Sequence, residues 1–106
     1  MDEFTLASHS LQLAKKDLGL EDNINLEGTE DPFERLIEFL EKRIKYMLDS
    51  DFSGLLNALY RIDIPENQVR DLLEFTEPQS LAKALTLAIL EREKQKVITR
   101  QQYRQS

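Results

Sequence analysis

This 106-residue sequence predicts an all-α fold, a compact bundle of about five helices with a central, apolar last helix. Three observations lead there. Apolar residues recur at spacings of three and four along most of the chain, which is the period of a helix face. Glycine and proline number only three each, so few positions interrupt long helices. No stretch shows the alternation of period two that a half-buried strand needs.

Phe4, Ala7, Leu11, Ala14 and Leu18 place a first amphipathic helix, and Gly19 is a natural stop after it. Leu20 to Glu30 is an acidic stretch with Asn23, Asn25 and Gly28, in which only Ile24 and Leu26 hint at a pattern. It reads as a loop, long enough for the first helix to pack on the body, exchange with a neighbouring protomer or stay loosely attached. The chain therefore divides into residues 1–31, a helix plus acidic loop, and residues 32–106, a helical bundle domain.

Asp31-Pro32 opens the second helix, because an Asp cap accepts from a free amide and proline at the first position sacrifices no hydrogen bond. Phe33, Leu36, Ile37, Leu40, Ile44, Met47 and Leu48 fall on one face. Glu38-Lys42 and Glu41-Lys45 stand elsewhere in the favourable order. Asp49-Ser50-Asp51 breaks this helix, and Asp51 caps a short third one carrying Phe52, Leu55, Leu56, Leu59 and Tyr60. Asp63-Ile64-Pro65-Glu66 starts a fourth, with Asp63 as its expected cap and Val69, Leu72 and Leu73 on one side. Pro78 separates it from the last helix, expected from about 78 to about 100. That helix is apolar nearly all round from Leu81 to Leu90, then charged from about residue 91, where it is expected to lean outward.

Composition narrows the function. With 41% apolar and 32% charged residues the chain is globular rather than disordered. It has no cysteine, so neither a disulfide framework nor a Cys-type zinc site is open to it, in keeping with a reducing cytosol. The opening Met1-Asp2-Glu3-Phe4-Thr5 lacks the basic start and apolar run of a secretory signal. Leu81–Leu90 falls well short of the roughly 20 apolar residues that span a bilayer. A cytoplasmic location, without membrane attachment, is the expectation.

The net charge of -6 is unevenly spread. Residues 1–31 carry eight acids against two lysines, residues 32–90 ten against seven, and residues 91–106 two against five cations. Nucleic acid or anionic lipid would have to bind through Arg92, Lys94, Lys96, Arg100 and Arg104 on an otherwise acidic body.

No constellation for catalysis stands out. Asp49-Ser50-Asp51-Phe52-Ser53-Gly54 copies the first six positions of an EF-hand calcium loop, but its twelfth position is Tyr60 where a bidentate Glu is required. His9 lies between Ser8 and Ser10, yet adjacent helical residues point apart, and no second histidine exists. Glu34, Glu38 and Glu41 share their helix with lysines, as a solvated face does. The glycines stand alone, so no phosphate loop forms. Asp63–Glu74 has the shape of a helix-turn-helix element, but Glu66, Asp71 and Glu74 outnumber Arg70. The expectation is a chain that is not an enzyme and holds no cofactor or metal.

The candidate binding surface is the end of the last helix. Val97, Ile98 and Tyr103, surrounded by Arg92, Lys94, Lys96 and Arg100, are suited to an acidic partner or to this chain's own acidic first segment. At Tyr60-Arg61-Ile62-Asp63, and again through Glu91-Arg92, Lys96-Val97 and Thr99-Arg100, residues 33–104 resemble a group of short, uncharacterised, all-helical bacterial proteins. That resemblance implies a helical bacterial domain and no activity. Tyr60 is expected to complete the apolar face of helix three, with a partner for its hydroxyl required if it is buried, and Arg61 to close onto a carboxylate. The chain is thus expected to be a non-enzymatic interaction or regulatory module that binds another protein or itself. The alternative is a weak nucleic-acid binder through its basic end.

Overall fold

A computed structural model describes residues 1–105; Ser106, the end of the second expected segment, lies outside the described residues. Five helices follow one another: α1 (Glu3–Leu18), α2 (Pro32–Ser50), α3 (Phe52–Ile62), α4 (Glu66–Phe75) and α5 (Pro78–Gln105). There is no strand among the described residues, and the all-α bundle is as the sequence predicts. None of the helices is long and apolar enough to cross a membrane.

α5 is the spine. Its 28 residues correspond to about 42 Å of helix, comparable with the longest dimension of the molecule, 39 Å. All four other helices pack against it. Ala82, Leu85, Ile89 and Leu90 are buried, while Leu87 on the opposite side is exposed, so the apolar half is covered on most sides but not all.

The caps act as the sequence suggests at the starts of α2 and α3, and Asp2 adds an unanticipated one at α1. The side chains of Asp2, Asp31 and Asp51 accept from the backbone N–H of Thr5, Glu34 and Gly54. α2 runs one residue past Asp49, through Ser50, and Asp51 alone joins it to α3. The segment that copies a calcium loop is therefore helical at Asp49 and Ser50, with Asp51 held on the Gly54 amide. A Cβ at position 54 would meet the Asp51 carboxylate, so glycine there leaves room for the cap. Asp51→Ala should lower stability by about 1 kcal/mol, read as a smaller urea midpoint at an unchanged slope.

Asp63 differs from expectation. It ends α3 in the left-handed conformation, φ 70 and ψ 44, and does not cap α4, whose first turn has no side-chain cap. Its N–H bonds to the carbonyl of Tyr60, and the N–H of Ile64 to that of Leu59, the hydrogen-bonding pattern of a Schellman ending. Ile64 is buried against the core, as the residue after such a turn commonly is. α1 ends likewise, with Gly19 at φ 67 and Leu20 bonded back to Lys15.

The first helix packs on the body of its own chain. Ala7, Leu11, Ala14 and Leu18 are buried in the same core as Leu36, Leu40, Ile44, Leu59 and Ile89. Small residues at Ala7, Ser10 and Ala14, all fully buried, let the α1 backbone lie close to its neighbours. The acidic loop is tied down as well. Leu26 is buried, Asp22 pairs with Arg43, and the Asn25 carbonyl accepts from Arg35.

Candidate functional site

Because α1 runs antiparallel to the second half of α5, the supposed outward half is covered along one side. Met1 and Thr5 share a cleft with Arg100 and Arg104 at one end, and Asp17 meets Lys96 toward the other. Val97 is only 6% exposed. Of the residues at this end, Val97 and Lys96 thus lie against the first segment of the same chain, Lys96 through Asp17.

Each cation expected to meet a partner has a place in the structure. Arg92 donates to both the carbonyl and the carboxylate of Asp63, at 3.2 Å each. Lys94 lies 4.7 Å from the ring centre of Phe33 and 3.8 Å from the Glu91 carboxylate. Lys96 lies 3.5 Å from Asp17 and 3.2 Å from Glu93. Arg100 is exposed and lines the cleft with His9, Gln12 and Arg104. Ile98 is exposed on the face that also carries Leu87, three turns earlier, and Tyr103 is 77% exposed. Val97 and Arg100 line one cleft beside α1, whereas Arg92 lines another with Asp63.

Between these helices sits a charged cluster that the sequence reading passed over. The Glu93 side chain is fully buried, and Lys96 approaches it off the line of a hydrogen bond, so neither carboxylate oxygen has a hydrogen-bond partner among the described residues. Burial, and next the neighbouring Asp17 carboxyl, push the Glu93 carboxyl from its ordinary 4.5 up to about 7, with Lys96 partly opposing. Arg61 was expected on a carboxylate and instead donates twice to the Asp17 backbone carbonyl, at 2.7 and 3.2 Å, satisfying a free carbonyl at the end of α1. The cluster fastens the ends of α1 and α3 to the middle of α5. A signal for Glu93 was available, because it follows Ile89 and Leu90 and precedes Val97 at helical spacing.

The uncovered apolar surface lies elsewhere, between α3 and α4. α4 makes its main contact with α5 and buries only Val69 fully. Leu56, Tyr60, Val69 and Leu73 line a groove whose rim carries Glu66, Arg70 and Glu74. Its volume is about 440 Å³. Tyr60, expected on the apolar face of helix three, is 54% exposed, and Phe52, two turns earlier on the same stripe, is exposed too. The reason is geometric: α3 turns Leu55, Ala58, Leu59 and Ile62 toward the core, and the Phe52-Leu56-Tyr60 stripe falls beside them rather than among them.

Comparison with protein-family models, curated proteins and solved structures found no match to this chain.

Proposed function

We propose that this chain is a non-enzymatic, cytoplasmic protein-interaction or regulatory module, and that the groove between α3 and α4 is its docking surface. The observation that carries this reading is an apolar floor, Leu56, Tyr60, Val69 and Leu73, left open between two helices with charges only at its rim. Two neighbouring helices with such a groove can accept a third helix, whose side chains at every third or fourth position fill it.

The end of α5 is less suited to this role than its composition suggests. Arg92, Lys94 and Lys96 already face Asp63, Phe33 and Asp17 of the same chain. The same pairings weaken the nucleic-acid alternative, since only Arg100 and Arg104 of its five cations lie outside them, too few for strong phosphate binding.

Affinity capture from native extract tests the proposal, comparing the natural chain with Tyr60→Glu and with Ile98→Glu as a control on the far side. Both positions are exposed, so both variants should keep the helical circular dichroism of the parent. A protein retained by the parent and by Ile98→Glu, but lost with Tyr60→Glu, supports the groove. Loss with Ile98→Glu alone moves the docking surface back to α5. Capture of nucleic acid that disappears with moderate salt would favour the alternative.

A further inference from the structure

We infer that the occupant of the α3–α4 groove is the same groove on a second copy of this chain, forming a two-fold dimer. The inference rests on the groove being a docking surface and adds the identity of what docks.

The argument is one of charge order. Along the rim, Glu66, Arg70 and Glu74 follow at intervals of four, so they lie in one row with signs minus, plus, minus. Among the described residues none of the three forms an ion pair, although Asp63, Arg92 and Lys96 nearby do. A two-fold contact requires that residue i meet residue j and that j meet i. If the two α4 helices pack antiparallel with Arg70 opposite Glu66 or Glu74 of the second copy, symmetry makes two such pairs at once. The register with Arg70 facing Arg70 is the one this row disfavours, so the alternation selects the alignment. Tyr60 and Leu73 beside the row, and Leu56 beneath, supply apolar surface for the second copy to cover.

Size sets the strength. α3 and α4, of 11 and 10 residues, are about 16 and 15 Å long. The face they form is smaller than the roughly 800 Å² per partner of a standard interface. The dimer should therefore form in the micromolar range. Each copy carries -6, but repulsion between distant charges fades beyond about 8 Å at physiological ionic strength, so the local row decides.

Sedimentation velocity on the full chain from low to high micromolar concentration tests this. The parent should pass from monomer to dimer. Arg70→Glu should weaken dimerisation at least about tenfold, a change of about 1.4 kcal/mol. The triple variant Glu66→Arg, Arg70→Glu, Glu74→Arg reverses the row to plus, minus, plus and should restore the dimer. All three substitutions are at exposed positions, and circular dichroism shows whether the fold persists. A parent that stays monomeric, or a dimer indifferent to Arg70→Glu, overturns the second copy as occupant. In a monomeric parent, loss of a captured protein with Tyr60→Glu would leave the groove as the docking surface and refute only its pairing with itself. A dimer that survives both Arg70→Glu and Tyr60→Glu would place self-association on another face and likewise overturn the second copy as occupant.

Discussion

Glu93→Gln should stabilise the protein at about pH 8 by on the order of 3 kcal/mol and change it little at about pH 4. The native state holds the Glu93 proton up to about pH 7, whereas an unfolded chain releases it near the ordinary 4.5. Between those values the folded form binds more protons than the unfolded form, so stability falls as pH rises across that window and levels off above it. The contribution is complete below about 4.5 and absent above about 7. Gln has the same shape and carries no charge, so it retains the low-pH state at every pH. For a domain of this size the gain corresponds to a melting temperature higher by roughly 10–20 °C. Thermal unfolding of parent and variant across pH 4 to 9 is the measurement. A difference that stays constant with pH would show that packing, and not ionisation of Glu93, separates them. Asp17 and Lys96 face the carboxyl, so Lys96→Met should accentuate the loss at high pH by removing the one cation that opposes it.

Leu11→Ala should destabilise the protein by about 2–5 kcal/mol, as much as a substitution in the middle of α2 or α5. Leu11 is buried in α1 among the residues that form the common core. Were α1 a loosely attached arm, truncating Leu11 would affect only local fraying and leave global unfolding nearly unchanged. Denaturant titration followed by far-ultraviolet circular dichroism, with Ile44→Ala as the reference, separates the two. A loss below about 0.5 kcal/mol for Leu11, with a full loss for Ile44, would falsify a shared core. Removal of residues 1–20 should be more severe, because it uncovers Val97, Lys96 and the buried Glu93 together. An ionised carboxylate stripped of Lys96 as a partner would not follow, but the apolar side of α5 would face water.

Much of the architecture was legible before any coordinates. The apolar stripes at Phe4–Leu18 and Phe33–Leu48 gave the right helices because each has one dry side, and local sequence then repeats with the helix period. Asp31-Pro32 and Asp51 marked helix starts through hydrogen bonds to amides three residues on, a purely local device. Asp63 misled the reading for a related reason. Aspartate can cap a helix start or adopt the left-handed turn at a helix end, and the second is accompanied here by tertiary contacts, the burial of Ile64 in the core and the bonds from Arg92, 29 residues away in sequence.

The candidate site was less legible. Cations at Arg92, Lys94 and Lys96 looked available because pairing depends on which helix lies alongside, and composition does not say that α1 returns to cover α5. The exposure of Tyr60 was not legible, because a stripe of five apolar residues on a short helix is wider than the face its neighbours cover.

By itself, the sequence determined the helical class, the capped starts of α2 and α3, the acidic body with its basic end, and the absence of any cysteine chemistry, since these follow from local hydrogen bonding, periodicity and counting. Tertiary structure alone decided that α1 belongs to the core, that Glu93 is buried beside Asp17, and that the open apolar groove lies between α3 and α4. Those outcomes depend on contacts between residues far apart in the chain, where burial and charge pairing are properties of the packed arrangement and not of any segment within it.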